Sequence, residues 1–414
     1  MKLDIYAGEP YHRPYRIVMA VLILIVNFCT MVPYVAPAVF MGQIMESFQV
    51  DLSLASLSMT IQLGATGICM FIGSFILDKL GLQKSLILSV WSMALGNVLA
   101  CIAPNITVFL VARFIAGFGQ GLYTVSMNPI LTTWFEGKEL TFMLTGGGIF
   151  SSIALAISYS INLPLCNMLG NWQAVFGVYA GFITVIAILW TLFGKSSPEG
   201  IAAEKATKQI ERGEKQQSSL LRAAKEVEYW KLMVYASIMM VANTAIATFL
   251  PTYLTTERGM DMSIATTISS LNSLFGIAGS LLGGILCAQL WRRKPTLVVA
   301  IAIYIAVGFG ITVFESSAII IVLALASGAL YFVPLTTQGT VLIEAKQPVD
   351  PTILGGASCI VSGIGQLLCV FVSFIFSAIA TATSMTMAYR IFFAACLLGL
   401  IAAVLLKETG RKTK

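Results

Sequence analysis

The chain is organised as long runs of apolar residues separated by short polar segments. About twelve of these runs reach the roughly 20 residues that an α-helix needs to cross the hydrocarbon core of a bilayer. The pattern therefore predicts an all-α membrane protein with about twelve spanning helices. The predicted first residues of the spans are Ile17, Leu52, Ser85, Ile106, Thr141, Gln173, Trp230, Ile264, Thr296, Ala318, Ile353 and Met385.

One long polar segment interrupts the series between the sixth and the seventh run. This segment, residues 195–229, is rich in Glu, Lys, Gln and Ala and suits a surface helix or a loose linker. It divides the chain into an N-terminal bundle of six helices, residues 1–194, and a C-terminal bundle of six, residues 230–414.

The two halves also resemble each other weakly. Gly73 aligns with Gly284, and Gly117 aligns with Gly328 at the same offset. Parallel repeats of this kind form two bundles related by an axis along the membrane normal, with a cavity between them. The alternative is a chance alignment of glycine-rich helices.

The positive charges predict the orientation of the chain. An even number of spans places both termini on one side, and Lys and Arg accumulate in cytoplasmic loops. Of the 25 Lys and Arg residues, all except Arg113, Arg258 and Arg390 fall on the side of the termini. We therefore expect a multi-pass protein of an inner or plasma membrane, with both termini in the cytoplasm.

Composition argues against several other classes of protein. Only 11% of the residues are charged, whereas about a quarter are charged in soluble domains. The basic residues that give the net charge of +6 lie in loops, so we expect no nucleic-acid partner. The eight cysteines include no C-x-x-C pair and His12 is the single histidine, so no metal site, cofactor or enzymatic activity is predicted.

Arg113 is the one charged residue that the pattern places inside a span. A charge at the centre of a spanning helix costs about 2.5 to 3.5 kcal/mol on insertion scales, so the residue needs compensation. Together with Gly117 and Gln120 it lies on one face of the fourth span. Two interpretations remain open: an anchor for an anionic substrate, whose oxygens suit the guanidinium fork, or a structural arginine bonded to carbonyl groups of adjacent spans.

The acidic residues are distributed differently. All 19 fall in tails, loops or span ends, with none predicted near the middle of a helix. Proton-driven symporters and drug antiporters typically use an intramembrane carboxylate or histidine to carry the proton, and a cationic substrate needs a buried negative partner. The distribution therefore argues against a cationic substrate, and it favours uniport, anion exchange or symport with a cation.

Four short motifs resemble the major facilitator superfamily of transporters. The segment Asp78-Lys79-Leu80-Gly81-Leu82-Gln83-Lys84 resembles the family signature between the second and third spans, with Gly73 one position earlier than the family glycine. Residues 113–121 resemble the R-x-x-x-G-x-G pattern of the fourth span, and residues 171–176 resemble the G-W-R-x-x-F entry to the sixth. Residues 134–139 are similar to a W-F-x-x-x-E segment found in anion and organic-anion branches, and a cyanate-permease-like branch is one such relative.

This resemblance implies two six-helix bundles that rock around a central site and expose it to each side in turn. It also implies that Gly73, Asp78, Gly81 and Lys84 form a gating loop. Asp78 can pair with backbone N–H groups or a basic side chain, and Gly81 permits a tight turn. The alternative is a solvated turn without a switching role.

In the family, the first, fourth, seventh and tenth spans line the cavity. The predicted substrate-binding residues are Asn27, Tyr34, Arg113, Gln120, Asn243, Tyr331 and Gln338. Asn27 and Tyr34 are expected on one face of the first span. Each residue alone is equally well explained as an interhelical hydrogen bond.

These observations favour a transporter of a small organic or inorganic anion, active as a monomer in the lipid bilayer. Efflux of amphipathic neutral compounds is the alternative, because Met and aromatic residues are abundant in the spans. Two alternatives from other functional classes are a receptor that has the same fold but does not transport, and a channel.

Overall fold

A computed structural model of the chain describes residues 12–135, 137–195, 219–289, 292–345 and 356–409. Within these residues, twelve helices are long and apolar enough to cross a membrane, as the sequence predicted. We number them α1 His12–Met31, α2 Leu52–Leu80, α3 Leu82–Cys101, α4 Ile106–Trp134, α5 Gly137–Leu169, α6 Trp172–Phe193, α7 Val227–Thr256, α8 Met262–Gln289, α9 Lys294–Val313, α10 Ser317–Glu344, α11 Ile364–Ala382 and α12 Met385–Leu405. Shorter helical segments are Ala36–Val39, Met41–Phe48, Ser219–Ala223 and a π turn, Cys359–Gly363.

Most spans begin within three residues of the predicted position. The prediction was less accurate for α1, which begins at His12 rather than Ile17, and for α5, which begins at Gly137 rather than Thr141. In both helices, polar residues extend the helix beyond the apolar run that marked its start. The predicted start of the eleventh span, Ile353, and most of the polar linker lie outside the described residues.

Consecutive spans run in opposite directions, so their ends lie on two sides of the protein. We call the side where α6 ends and α7 begins the linker side, and the opposite one the distal side. On the distal side, Asp51, Asn105 and Ser384 cap the first turns of α2, α4 and α12 by accepting a backbone N–H with their side chains. These caps explain why three spans begin where the sequence predicted.

Each bundle contains a corresponding pair of helices that approach closely through a glycine. A Cβ atom at Gly117 of α4 would overlap the carbonyl oxygen of Gln62 of α2, and one at Gly328 of α10 would overlap the carbonyl oxygen of Asn272 of α8. Gly117 and Gly328 are the glycines that the sequence aligns between its halves. The weak internal repeat therefore corresponds to a repeated helix contact, as expected for two related bundles.

The bundles meet along two helix pairs, α2 with α11 and α5 with α8. In the first pair, the hydroxyl oxygens of Thr60 and Ser373 lie 2.6 Å apart and those of Ser56 and Ser377 lie 3.3 Å apart. In the second, the Ser160 hydroxyl donates to that of Ser270 at 2.8 Å. We define the α2–α11 seam by its facing residues, which are Ser56, Thr60 and Gly64 on α2 and Ser377, Ser373 and Val370 on α11.

Contacts near the distal side also join the two bundles. The Tyr159 hydroxyl of α5 donates to the carbonyl oxygen of Ala247 in α7 at 2.7 Å. The short helix Ala36–Val39, which follows α1, packs against α7. Cys369 of α11 belongs to the same buried apolar cluster as the distal half of the N-terminal bundle. The two bundles are thus in contact over the distal half of the protein.

Candidate substrate-binding site

Arg113 is held inside the N-terminal bundle, two turns from the distal end of α4. Its side chain is 1% exposed. Nε donates to the carbonyl oxygen of Ser58 at 3.1 Å, and Nη2 donates to that of Tyr34 at 3.0 Å. The guanidinium carbon lies 5.6 Å from the centroid of the Phe176 ring, which provides a cation–π contact.

The remaining guanidinium nitrogen, Nη1, is buried and has no hydrogen-bond partner. No carboxylate among the described residues pairs with Arg113. Hydrogen bonds to two carbonyl oxygens are those expected of a structural arginine. The unpartnered Nη1, by contrast, leaves one N–H group that can donate to an anion. The geometry is compatible with both interpretations that the sequence left open.

Gln120, one of the predicted binding residues, is paired with a residue that sequence reasoning missed. Its Oε1 accepts a hydrogen bond from Nε2 of Gln62 at 2.8 Å, and both side chains are buried. Oε1 of Gln62 has no partner. The available signal was the helical spacing of Gln62 from Ser58 and Thr66, which marks a polar face on α2.

Tyr34 lies where the two bundles meet. The prediction that it shares a helical face with Asn27 is wrong, because α1 ends at Met31 and Tyr34 follows in a turn. Its backbone carbonyl oxygen accepts the hydrogen bond from Arg113, and its side chain belongs to the same buried cluster as Cys369 of α11. Tyr34 therefore connects Arg113 with the C-terminal bundle.

Asn27 occupies a different place, within the N-terminal bundle. Its Oδ1 accepts a hydrogen bond from the Ser151 hydroxyl of α5 at 2.7 Å, and its side chain is half-buried. The contact joins α1 to α5. It does not bring Asn27 into contact with Arg113.

A cavity of about 50 Å³ opens in the C-terminal bundle between α7, α10 and the π turn that precedes α11. Its polar lining residues are Tyr235, Tyr331, Gln338 and Ser362. Its apolar lining residues are Ala236, Met239, Met240, Pro334, Leu335 and Val361. We call this cavity the α7–α10 pocket.

Two of the four polar residues, Tyr331 and Gln338, are among those predicted from the sequence. Tyr235 and Ser362 were missed, because a tyrosine or serine in an apolar span is not distinguishable from a packing residue. The side chain of Tyr235 is 1% exposed and its hydroxyl has no hydrogen-bond partner. Asn243 lies further along α7, half-buried, outside the pocket lining and without a hydrogen-bond partner among the described residues.

The predicted gating residues lie around the turn between α2 and α3. Gly81 ends α2 with φ 75° and ψ 165°, a conformation that is accessible essentially only to glycine. Gly73 lies earlier on α2 than this turn, and it is buried against Leu122 and Val125 of α4. Lys84 is exposed, and the side chain of Asp78 lies outside the described residues. The gating role stays a prediction.

No group of three or more metal-binding side chains occurs in the part of the chain that the structure describes. The candidate site therefore consists of the buried guanidinium of Arg113, Tyr34 where the bundles meet, and the uncharged α7–α10 pocket. Such an arrangement suits non-covalent binding of a solute between two bundles.

Comparison with known proteins places this geometry in a family. The family model described as Major Facilitator Superfamily matches residues 23–348. An uncharacterized protein of Campylobacter jejuni, Cj0987c, is 23% identical over 70% of this chain and 89% of its own length. The probable sulfoacetate transporter SauU of Cupriavidus necator is 25% identical, and the hexuronate transporter of Bacillus subtilis is 22% identical.

The match to the sulfoacetate transporter covers 57% of this chain and 56% of that protein, and the match to the hexuronate transporter covers 54% and 53%. The chain thus spans about half the length of these two relatives.

Solved structures show the same fold. The inward-open xylose transporter XylE of E. coli superposes with a TM-score of 0.78 at 13% identity, covering 96% of this chain and 98% of that one. A bacterial homolog of the human lysosomal transporter Spinster gives 0.72 at 16% identity, with 96% of each chain covered. The family match over most of the chain, twelve spanning helices and two related bundles together show that this protein is a multi-pass membrane transporter, not an enzyme, and belongs to the Major Facilitator Superfamily.

Proposed function

We propose that the protein carries a small organic anion across the membrane by alternating access of a site between its two bundles. The observation that carries this proposal is Arg113, the single charged side chain among the buried residues described, with no carboxylate partner and one unpartnered nitrogen. A buried cation without a counter-ion favours an anionic ligand. An anion that reaches Nη1 would supply the missing hydrogen bond and the missing charge.

Relatives with named substrates support the same class. Beside the sulfoacetate and hexuronate transporters, the probable galactarate/D-glucarate transporter GarP of Escherichia coli is 26% identical over 62% of this chain. These relatives are named for sulfonate or carboxylate solutes. An anionic substrate for this chain is consistent with their names and with the charge of Arg113.

Four of the predicted residues keep a direct role in this proposal. Arg113 supplies the charge, Tyr34 bonds to it and packs in a cluster with Cys369 of the C-terminal bundle, and Tyr331 and Gln338 line the α7–α10 pocket. Gln120 acts through its pairing with Gln62. Asn27 and Asn243 would join the site only in another conformation of the carrier.

We further propose that the protein works as a monomer in an inner or plasma membrane with both termini and the linker side in the cytoplasm. The distribution of Lys and Arg supports this orientation. In the proposal, residues 1–194 and 230–414 move as two bodies, and the turn around Asp78, Gly81 and Lys84 gates the cytoplasmic side. Since acidic residues lie at span ends, uniport, anion exchange or symport with a cation is favoured over carboxylate-mediated proton coupling.

A thermal-shift experiment on detergent-purified protein tests the anion assignment. D-Glucuronate and sulfoacetate serve as anionic probes, and an amphipathic neutral compound represents the alternative efflux function. A ligand at 100 times its Kd stabilises the folded state by about 2.7 kcal/mol. We expect the anions to raise the melting temperature of the wild type and to lose this effect in Arg113→Ala.

Arg258→Ala is the matched control, because Arg258 bonds to the Tyr253 hydroxyl and to backbone carbonyls at the distal end of α9, away from Arg113. It should respond to the anions as the wild type does. If only the neutral compound stabilises the wild type and Arg113→Ala alike, the anion assignment is wrong and Arg113 is structural.

A further inference from the structure

Two arginines meet at the distal end of α9. They are Arg258 and Arg390, which the sequence predicts on the side opposite the termini. Nη2 of Arg258, in the turn after α7, donates to the carbonyl oxygens of Ile311 at 3.1 Å and Thr312 at 3.4 Å. Nη2 of Arg390, on α12, donates to the same Thr312 carbonyl oxygen at 3.2 Å. Because one oxygen binds both side chains, the two positive charges are close neighbours.

The charge of this arginine pair is not neutralised within the described part of the chain. Neither arginine forms an ion pair there. Glu257, which precedes Arg258, instead accepts hydrogen bonds from the backbone N–H groups of Met385 and Thr386 at the first turn of α12. The negative end of the α9 dipole offsets only about half an elementary charge. Since two positive charges at close range repel each other, an anion bound here would stabilise the pair.

Both arginines keep a donor group that an anion can reach. The protein bonds to Nε and Nη2 of each guanidinium, whereas Nη1 of each has no hydrogen-bond partner among the described residues. Neither Nη1 atom is enclosed by the protein, unlike that of Arg113. The pair thus presents two accessible N–H donors on neighbouring positive charges.

Arg390 lies on the lipid-facing side of α12. The exposed apolar residues of this helix recur on one face along its whole length, and they include Met387, Ile391, Leu398, Ile401 and Leu405. Arg390 is half-buried on the same face, between the first two of these residues and near the distal end of the span. Val313 and Phe314, at the end of α9, are also exposed. Apolar surface that contacts lipid therefore flanks the arginine pair.

We infer that Arg258 and Arg390 bind the phosphate of a phospholipid headgroup in the distal leaflet of the membrane, with an acyl chain along the lipid-facing side of α12. Guanidinium groups suit this ligand because they donate charge-assisted hydrogen bonds to phosphate oxygens. A phospholipid is favoured over a soluble phosphate because the flanking apolar side chains can contact its acyl chains. The inference is independent of the solute that is transported.

A lipid titration of the detergent-purified, full-length protein, followed by native mass spectrometry, tests the inference. The probes are dioleoyl phosphatidylglycerol, which is anionic, and dioleoyl phosphatidylcholine, whose choline group the arginines repel. Each arginine near an anionic headgroup contributes about fivefold in affinity, so the pair contributes about thirtyfold. We expect the wild type to prefer phosphatidylglycerol, and Arg258→Gln with Arg390→Gln to lose this preference.

Arg258→Lys with Arg390→Lys is the matched control. Lysine keeps the positive charge and binds phosphate as a point charge, so this variant should retain the preference for phosphatidylglycerol. If the double glutamine variant does not fold, Arg390→Gln alone should weaken phosphatidylglycerol binding by about fivefold. An unchanged preference in the glutamine variants, or no preference in the wild type, overturns the inference and leaves the arginines as a cap of α9.

Two further arms identify the source of the phosphate and the place where the lipid binds. sn-Glycerol 3-phosphate lacks acyl chains, each buried methylene of which contributes about fourfold in affinity, so it should not displace the lipid at an equal concentration. Displacement that depends on both arginines would show a site for a soluble phosphate instead. Arg113→Ala should bind phosphatidylglycerol as the wild type does, because Arg113 is buried in the other bundle. Loss of lipid binding in Arg113→Ala would contradict a site at α9 and α12.

Discussion

Arg113 and Tyr34 are joined by a 3.0 Å hydrogen bond from Nη2 of the arginine to the backbone carbonyl oxygen of the tyrosine. The bond fixes the turn after α1 to the middle of the N-terminal bundle. Because the side chain of the same tyrosine belongs to a buried cluster that includes Cys369 of α11, a change at Arg113 can be transmitted to the C-terminal bundle through one residue.

Replacement of Arg113 by lysine tests whether stability requires the planar guanidinium group in addition to its positive charge. A single ammonium group cannot bridge the carbonyl oxygens of Ser58 and Tyr34 as the guanidinium does. We expect the unfolding free energy of Arg113→Lys to fall by about 1 to 3 kcal/mol, measured by thermal unfolding in detergent. Arg258→Lys is the comparison at a less buried arginine. An unchanged melting temperature for Arg113→Lys would show that the two carbonyl bonds do not stabilise the bundle.

The repeated helix contact predicts paired effects of two glycine substitutions. Gly117→Ala and Gly328→Ala each place a methyl group against a backbone carbonyl of the neighbouring helix, which cannot move away cheaply. Each should destabilise its bundle by about 1 to 3 kcal/mol, seen as a lower melting temperature and a lower yield of folded protein. Gly284→Ala is the control, since no atom lies within 4 Å of the position of its Cβ. Equal behaviour of all three variants would contradict the contact.

The α2–α11 seam predicts a disulfide that locks the bundles together. With hydroxyl oxygens 2.6 Å apart, Thr60→Cys and Ser373→Cys should form a bond under mild oxidation. Since the seam must open for the distal side to become accessible, we expect oxidation to stop transport into liposomes and reduction to restore it. Ser58→Cys with Ser373→Cys is the control, because the Ser58 hydroxyl donates to the carbonyl oxygen of Ala55 within α2 and not to Ser373. Full activity of the cross-linked pair would show that the seam stays closed throughout transport.

Gly81 gives a test of the turn between α2 and α3. Its backbone conformation costs other residues about 1 to 3 kcal/mol, so Gly81→Ala should lower the melting temperature. Gly42→Ala, at a helical position with open space, should not. If the turn gates the carrier, the transport rate of Gly81→Ala should fall even at temperatures where the protein is fully folded. A rate equal to that of the wild type under those conditions would leave the turn with a structural role only.

The sequence predicted the fold well because length and hydropathy decide which segments cross a membrane. The number of spans and the family were both confirmed. Helix ends were less predictable where polar residues continue a helix, as they do before Ile17 in α1.

The candidate site was only partly predictable. Arg113 could be identified because a charge within a span is rare. Tyr235 and Gln62 could not, since whether a neutral polar side chain faces a cavity, a partner or lipid depends on the rotation of its helix. Tyr34 was predicted on the first helix but follows it in a turn, because an apolar run does not reveal where the helix inside it ends.

The hydroxyl pairs between α2 and α11 have a consequence for the energetics of the transport cycle. Each hydrogen bond contributes a net of only about 0.5 to 1.5 kcal/mol, because water replaces the partner when the bond breaks. Beside these pairs, Val370 of α11 packs directly against Gly64 of α2, so separation also withdraws one aliphatic side chain from this contact. The hydroxyl pairs therefore add little to the free energy needed to separate the two helices. Net flux through such a cycle follows the gradients of the solute and of any ion that is transported with it or exchanged for it.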